Sequence, residues 1–198
     1  MGDPKRRVYC AGPLFNDKER EEMQDIATAL EEGGYETFLP HRDGFEFTPL
    51  LPMLMMHGLT LEKATALWDR AIFAIDAYQA AVSCDALVVN LNGRVPDEGA
   101  VAEAAMAWAN GKAVAAYKDD LRSLVGGKDN AMVVGLSDFK TYANFASLID
   151  ALQAKLSLAH PPAITPTAAM KLGERLWAAK TGPEGLDAVV ALMLEDTA

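Results

Sequence analysis

Three acidic residues, Asp97, Glu98 and Glu103, follow one short apolar segment closely. Residues 86–91 are largely apolar and include two valines, which is typical of a strand buried on both faces of a parallel sheet. The alanine-rich run over 100–110 predicts a helix directly afterwards. Because ligands of an open α/β sheet bind beyond the carboxyl ends of its strands, we expect the three carboxylates at such a crevice.

Glu103 is the acidic residue that most needs an explanation. The helix dipole alone favours acidic residues in the first turn by about 0.3–1 kcal/mol each, which accounts for Asp97 and Glu98 without any function. Glu103 instead has apolar neighbours at 100–102 and 104–108, a pattern that predicts a helix buried on every side. A carboxylate there costs desolvation energy unless it faces a polar cavity. The spacing leaves a functional and a structural role for Glu103 equally open.

Two further loops are predicted at the same edge of the sheet. Val8–Ala11 and Tyr35–Leu39 are short apolar segments that predict the first two strands. Asn16, with Glu19 three residues later, predicts a capped helix between them. The loops GPLF and HRDG, which follow the two strands, therefore lie on the predicted binding edge.

The remaining pattern predicts an α/β protein with a C-terminal helical extension. We expect a main domain at 1–158 and, at 159–198, a helical hairpin docked on it. The elements expected are a helix at 61–82 that carries Asp76, a strand at 113–117, a last strand at Val133 and Val134, a helix from Asn144, a helix from Thr165 and Pro166 to Gly182, and a final helix to about Glu195.

Composition restricts the class of partner and compartment. The net charge of -10 over 198 residues argues against binding to nucleic acid or to an anionic membrane, since both need a basic surface. The two cysteines, Cys10 and Cys84, fall at predicted buried strand positions, which fits a reducing cytoplasm. No uninterrupted apolar run is long enough to span a membrane. We therefore predict a cytoplasmic protein that acts on a small molecule.

The sequence offers no pattern for a metal or a cofactor. His41, His57 and His160 lack the spacing of metal ligands. The GGK segment at 126–128 lacks the upstream glycine and the downstream hydroxyl residue of a phosphate-binding loop. We therefore expect neither a bound metal ion nor a cofactor.

Several segments together resemble the nucleoside 2-deoxyribosyltransferase family, in the family's order and over about residues 8–155. They are YCAGPLF at 9–15, FLPHRDG at 38–44, CDALVVNLNGRVPDEG at 84–99, the glutamate four residues later, GKAVAAYKDDLR at 111–122 and DNAM at 129–132. Ala100 stands where the family usually has a threonine.

The resemblance implies a flavodoxin-like (Rossmann-like) doubly wound parallel sheet and transfer of a 2-deoxyribosyl group between nucleobases through a covalent glycosyl-glutamate. It implies a homo-oligomer that takes a deoxynucleoside and a free nucleobase. Glu103 would be the nucleophile, and Asp97 or Asp76 the proton donor. Tyr9 would hold Glu103 by its hydroxyl group. The residues expected to bind substrate are Gly12, Phe15, Asp43, Gly99 and Asn130.

Two other functions remain open on the sequence. If water takes the place of the acceptor base, the protein is an N-glycosidic hydrolase of a nucleoside or nucleoside 5′-monophosphate. The other alternative is a protein that binds a nucleoside without catalysing a reaction. The apolar residues at 45–60 fit either a subunit contact or the wall of a base pocket.

Overall fold

A computed structural model describes residues 5–93, 95–120, 129–158 and 168–195. The chain divides into two compact units. The first contains Met1–Leu39 and Ala80–Ile164, and the second contains Pro40–Gln79 and Thr165–Ala198. The predicted boundary at residue 158, and the docking of the tail on the main domain, stay predictions.

The first unit is built on five parallel strands, which confirms the predicted parallel sheet. Their order is β2-β1-β3-β4-β5, so the chain reverses its direction of winding between β1 and β3. The two neighbouring strands β3 and β4 are buried at every residue, as the predicted central strands should be. The strands are β1 (Arg7–Ala11), β2 (Glu36–Phe38), β3 (Ala86–Asn90), β4 (Ala113–Tyr117) and β5 (Thr141–Tyr142).

Nine α-helices occur in the described part of the chain. They are α1 (Asp17–Glu32), α2 (Pro40–Asp43), α3 (Leu50–Met56), α4 (Leu61–Tyr78), α5 (Glu98–Ala109), α6 (Ala131–Val134), α7 (Phe145–Leu158), α8 (Ala168–Thr181) and α9 (Leu186–Glu195). None of these helices is long and apolar enough to cross a membrane.

Helices cover both faces of the sheet, so the doubly wound fold is confirmed. Helices α1 and α7 share a core with one face, which is lined by alternate strand residues such as Val8, Cys10 and Val88. Helix α5 packs against β1, β3 and β4. Helix α1 begins where predicted, because the Asn16 side chain accepts the Glu19 backbone N–H at 3.0 Å.

The composition of helix α5 predicts burial on every side, but the structure buries only one side of the helix. Ala100, Ala104 and Ala107 are buried, whereas Ala102 and Trp108 are exposed. One sheet face can bury only one stripe of a helix, so an apolar composition does not by itself determine burial.

The last strand was wrongly predicted at Val133 and Val134, which lie in α6. The Asn130 side chain accepts the Met132 backbone N–H at 2.9 Å and starts that short helix. This local cap outweighs the strand preference of two valines, which depends on context. Strand β5 forms later, where Thr141 and Tyr142 pair with β4.

Other boundaries differ from the sequence prediction in detail. The predicted helix at 61–82 ends as an α-helix at Tyr78 and continues as a π-helix over Gln79–Ser83. Within the apolar segment at 45–60 the structure places helix α3. The final two helices end at Thr181 and Glu195, close to the predicted stops. The predicted start at Thr165 and Pro166 lies outside the described residues.

In the second unit, α8 approaches α4 very closely at Gly173. A β-carbon at this position would lie 2.0 Å from the Ala74 carbonyl oxygen and 2.6 Å from the Tyr78 β-carbon. The oxygen is part of the backbone and the β-carbon is bonded directly to it, so neither atom can rotate away. Gly173 is therefore required by the packing of the two helices.

We expect Gly173→Ala to lower the free energy of unfolding by about 1–3 kcal/mol, because the added methyl group forces the two helices apart. Urea denaturation of the variant measures the loss. Gly135→Ala is the matched control, since a β-carbon there meets nothing closer than 3.5 Å. Equal stability of the two variants would contradict a close helix approach at Gly173.

Candidate active site

Tyr9 and Glu103 meet in the first unit, as the sequence prediction required. The Tyr9 hydroxyl donates a hydrogen bond of 2.8 Å to Oε1 of Glu103. Tyr9 is fully buried, and its ring stacks on Phe38 with centroids 5.3 Å apart. Because the ring cannot move freely, its hydroxyl fixes one oxygen of the partly buried Glu103 carboxylate.

Asp97 lies at the beginning of the helix that carries Glu103. Its Oδ2 accepts the Ala100 backbone N–H at 2.7 Å, which makes Asp97 the N-cap of α5. Gly99 is exposed in the first turn, and a β-carbon there would lie 3.2 Å from the same Oδ2. The structure thus brings Asp97, Gly99 and Glu103 to one end of α5, with Tyr9 held against Glu103.

The loop after β1 comes close to α1 and β3. A β-carbon at Gly12 would lie 2.2 Å from Sδ of Met23 and 3.0 Å from the β-carbon of Asn90, so only glycine fits without a shift. The Phe15 side chain is 81% exposed, and its backbone N–H donates to Oε2 of Glu19 at 2.8 Å. Phe15 therefore offers an open aromatic face at the carboxyl edge of the sheet.

Asn92 organises the same edge, although sequence reasoning missed it. Its Oδ1 accepts the backbone N–H groups of Asp119 and Asp120, each at 3.1 Å. Its Nδ2 donates to Glu22 at 2.5 Å and to the Asp119 carboxylate at 2.7 Å. Asn92 thus joins the loops after β3 and β4 to helix α1. The available signal was an asparagine just after an apolar strand, where an amide can bond to several backbone groups.

A cavity of about 520 Å³ opens at this edge. Its walls come from α1 and from the loops after β1, β3 and β4. The cavity is lined by Pro13, Asn16, Lys18, Glu19, Glu22, Asn92, Gly93, Asp119 and Asp120. Glu22 accepts a hydrogen bond of 3.0 Å from Asn90, which faces α1, whereas Tyr9 faces α5. The cavity and the Tyr9–Glu103 pair therefore lie on opposite faces of the sheet.

The cavity edge is strongly negative. The pKa of Tyr117 is raised to about 12, first by burial and then by a hydrogen bond to Asp119 and the charges of Asp119, Glu22 and Asp25. Four of the lining residues are acidic and one is a lysine. An anionic ligand is disfavoured there, and a neutral polar one is accepted.

The other predicted site residues have separate surroundings. Asp43 and Asp76 belong to the second unit: Asp43 pairs with Arg42 at 2.9 Å, and Asp76 on α4 is 9% exposed. Asn130 is exposed in the first unit, where its side chain caps α6. Among the described residues, no group of three or more His, Cys, Asp or Glu side chains is placed to hold a metal ion.

Comparison with known proteins agrees with this fold. The sequence model of the family described as nucleoside 2-deoxyribosyltransferase matches residues 8–158. No curated protein matches the chain. A crystal structure of a conserved protein from Enterococcus faecalis V583 is similar, with a TM-score of 0.53 at 18% identity, and the match covers 77% of this chain and 99% of that one.

A second similar structure is a 2-deoxyribosyltransferase from the psychrotolerant bacterium Bacillus psychrosaccharolyticus. Its TM-score is 0.54 at 17% identity, and the match covers 79% of this chain and 99% of that one. At such identities the two structures show a common fold.

We expect Asn92→Ala to lower the free energy of unfolding by about 2 kcal/mol, because it removes one side chain that serves two backbone donors and two carboxylates. Asn110→Ala is the matched control: this half-buried asparagine makes one side-chain bond, to the Met106 carbonyl at 2.7 Å, and its loss should cost about 0.5–1 kcal/mol. Urea denaturation measures both. If Asn92→Ala costs no more than the control, Asn92 does not organise this edge.

Proposed function

The chain belongs to the nucleoside 2-deoxyribosyltransferase family, and we propose that it transfers a 2-deoxyribosyl group between nucleobases through a covalent intermediate on Glu103. The observation that carries the proposal is the 2.8 Å hydrogen bond from the buried Tyr9 hydroxyl to Glu103 Oε1. It supports a fixed, polar environment for a carboxylate on an otherwise apolar helix.

The reaction would proceed in two displacements. A carboxylate oxygen of Glu103 attacks C1′ of the deoxynucleoside, while the bond from C1′ to the base nitrogen breaks and the base leaves with a proton. The acceptor base then attacks C1′, and the glycosyl-glutamate bond breaks to restore the carboxylate.

Two carboxyl groups are proposed as the proton donor, Asp97 and Asp76. Asp97 lies on the same helix as Glu103, but one of its oxygens is engaged by the Ala100 N–H. That oxygen cannot donate a proton while it caps the helix, so a donor role would fall to Oδ1. Asp76 is buried on α4.

The proposed substrates are an uncharged deoxynucleoside and a free nucleobase. The loop after β1, at residues 12–15, carries no basic or hydroxyl side chain that could bind a phosphate group, which supports an unphosphorylated ligand. The exposed ring of Phe15 supports stacking on a base. Gly12, Asp43, Gly99 and Asn130 remain proposed contacts of the substrate, and a homo-oligomer remains the proposed assembly.

The decisive experiment follows a deoxynucleoside with and without a second free base. We expect exchanged nucleoside to dominate when the base is present, and slow release of free deoxyribose when it is absent, because both acceptors compete for one intermediate. Chromatography separates the products. Mass spectrometry of the protein mixed with a deoxynucleoside should show a deoxyribosyl adduct on the peptide that contains Glu103.

Glu103→Gln is the matched control for this experiment, since its amide keeps the contact with the Tyr9 hydroxyl but cannot attack C1′. It should fold and give neither exchange nor adduct. Sugar release at a rate indifferent to added base would select the hydrolase, and no product from any nucleoside or nucleotide would leave a binding protein.

We expect Asp97→Asn to lower the turnover rate by about 100-fold while substrate binding is kept, as for a group that transfers a proton or stabilises charge in the transition state. Asparagine caps a helix about as well as aspartate, so the start of α5 should survive. Steady-state kinetics and thermal unfolding measure the two effects. Full turnover in Asp97→Asn would remove Asp97 from the reaction.

A further inference from the structure

Lys118 connects several parts of the first unit directly beyond the carboxyl end of β4. Its side chain is only 8% exposed, and its Nζ forms an ion pair with Oδ1 of Asp129 at 2.7 Å. The same ammonium group donates a longer hydrogen bond of 3.4 Å to the Leu91 carbonyl, just after β3. The Lys118 backbone N–H donates to the Tyr142 carbonyl of β5 at 2.9 Å. Lys118 therefore ties Asp129 to the ends of the central strands.

The two carboxylates next to Lys118 along the chain have other partners. Oδ1 of Asp119 accepts the Asn92 side-chain amide at 2.7 Å, and Oδ2 of Asp120 accepts a backbone N–H of the loop after β3 at 3.0 Å. In the described part of the chain, Asp129 is thus the carboxylate that pairs with Lys118.

Stability alone does not account for this ion pair. Removing two charges from water costs much of the attraction between them, and apolar side chains of similar volume are often equally stabilising. A charged hydrogen bond differs from an apolar contact because it has a direction and a narrow range of lengths. The bond between Lys118 and Asp129 therefore specifies where residue 129 lies, and with it the next residue of the chain.

That next residue, Asn130, has an amide whose two ends have different surroundings. Oδ1 of Asn130 accepts the Met132 backbone N–H at 2.9 Å, and the Asn130 carbonyl accepts the N–H groups of Val133 and Val134 at 2.9 and 3.0 Å. Among the residues that the structure describes, Nδ2 of Asn130 donates to no group. An amide nitrogen donates and does not accept, so the exposed Asn130 side chain offers a fixed donor to an oxygen atom.

We propose that Lys118 is a positioning residue, which holds Asn130 through Asp129 so that Nδ2 of Asn130 donates a hydrogen bond to a hydroxyl oxygen of the deoxyribose. This inference rests on the proposed function, in which Asn130 is a contact of the substrate. The reaction takes place at C1′ and not at the hydroxyl group, so the hydrogen bond is equally strong in the ground state and in the transition state. Its loss raises KM and leaves kcat unchanged.

Steady-state kinetics of Lys118→Met tests this division between the two constants. We expect KM for a deoxynucleoside to rise about 3–10-fold, the effect of about one hydrogen bond, while kcat stays within about twofold of the wild type. Lys155→Met is the control, because Lys155 lies in the same unit and pairs with Asp138; both constants should stay unchanged there. A fall in kcat at constant KM in Lys118→Met overturns the positioning role.

A second variant covers the case in which Lys118→Met does not fold, since that change leaves the Asp129 carboxylate without its cation. The double variant Lys118→Met/Asp129→Leu places two apolar side chains at these positions and removes both charges. It also lacks the directional bond, so KM should rise in the same way. A folded double variant with the KM of the wild type contradicts the proposal.

A double-mutant cycle with Asn130→Asp tests whether Lys118 acts through Asn130. Aspartate caps a helix about as well as asparagine but has no side-chain N–H group, so this variant keeps the start of α6 and loses the donor. Lys118→Met should raise KM in the wild type and have no further effect in Asn130→Asp. Independent effects of the two changes on KM would show a general structural role of Lys118 instead.

Hydrogen exchange separates this inference from the proposed function, because it needs no activity. The backbone N–H groups of Met132, Val133 and Val134 should exchange about 10-fold faster in Lys118→Met than in the wild type, as the segment loses its anchor. Mass spectrometry of the peptide that contains them measures the rate. An inactive wild-type protein with this difference in exchange overturns the proposed function and keeps the anchoring of Asn130. An active protein whose exchange and KM are unchanged in Lys118→Met overturns the inference alone.

Discussion

The pairing of β1 with β3 in the middle of a parallel sheet is the constraint on which the site depends. Val8–Ala11 pair with Ala86–Val89 in register, and both strands are buried on their two faces. Parallel strands end at the same edge, and here the chain winds outward in opposite directions from the two strands. The loops that begin at Gly12 and Asn92 are therefore neighbours.

Burial decides how the acidic residues of this protein act. Glu103 sits on an apolar helix, and the hydroxyl of Tyr9 offsets part of its desolvation cost. Asp97 reduces the same kind of cost by accepting a backbone N–H.

The negative edge beside α1 has a structural basis as well. Asn92 bonds to two loop amides and to two carboxylates, so it holds Glu22 and Asp119 near each other despite their like charges. Burial and then the charge that results raise the pKa of Tyr117. The same network shapes the cavity. The contacts that hold the loops in place therefore also set the negative charge that a ligand would meet at this edge.

The sequence by itself determined the family, the parallel sheet and, within two residues, the starts of α1, α4, α5 and α7, because these follow from local signals. The apolar run at 86–90, the Asn16 cap and the alanine-rich helix of Glu103 are read within a few residues of the chain. The sequence also placed Tyr9 beside Glu103 through the family resemblance. The catalytic roles assigned in that way remain predictions.

Only the tertiary structure decided what depends on residues distant along the chain. The cap at Asn130 overrode the two valines that predict a strand, and the sheet left one face of the apolar helix α5 exposed. Helices α4 and α8 pack closely at Gly173, although they lie about 100 residues apart along the chain, and the distance between them is set by one missing β-carbon.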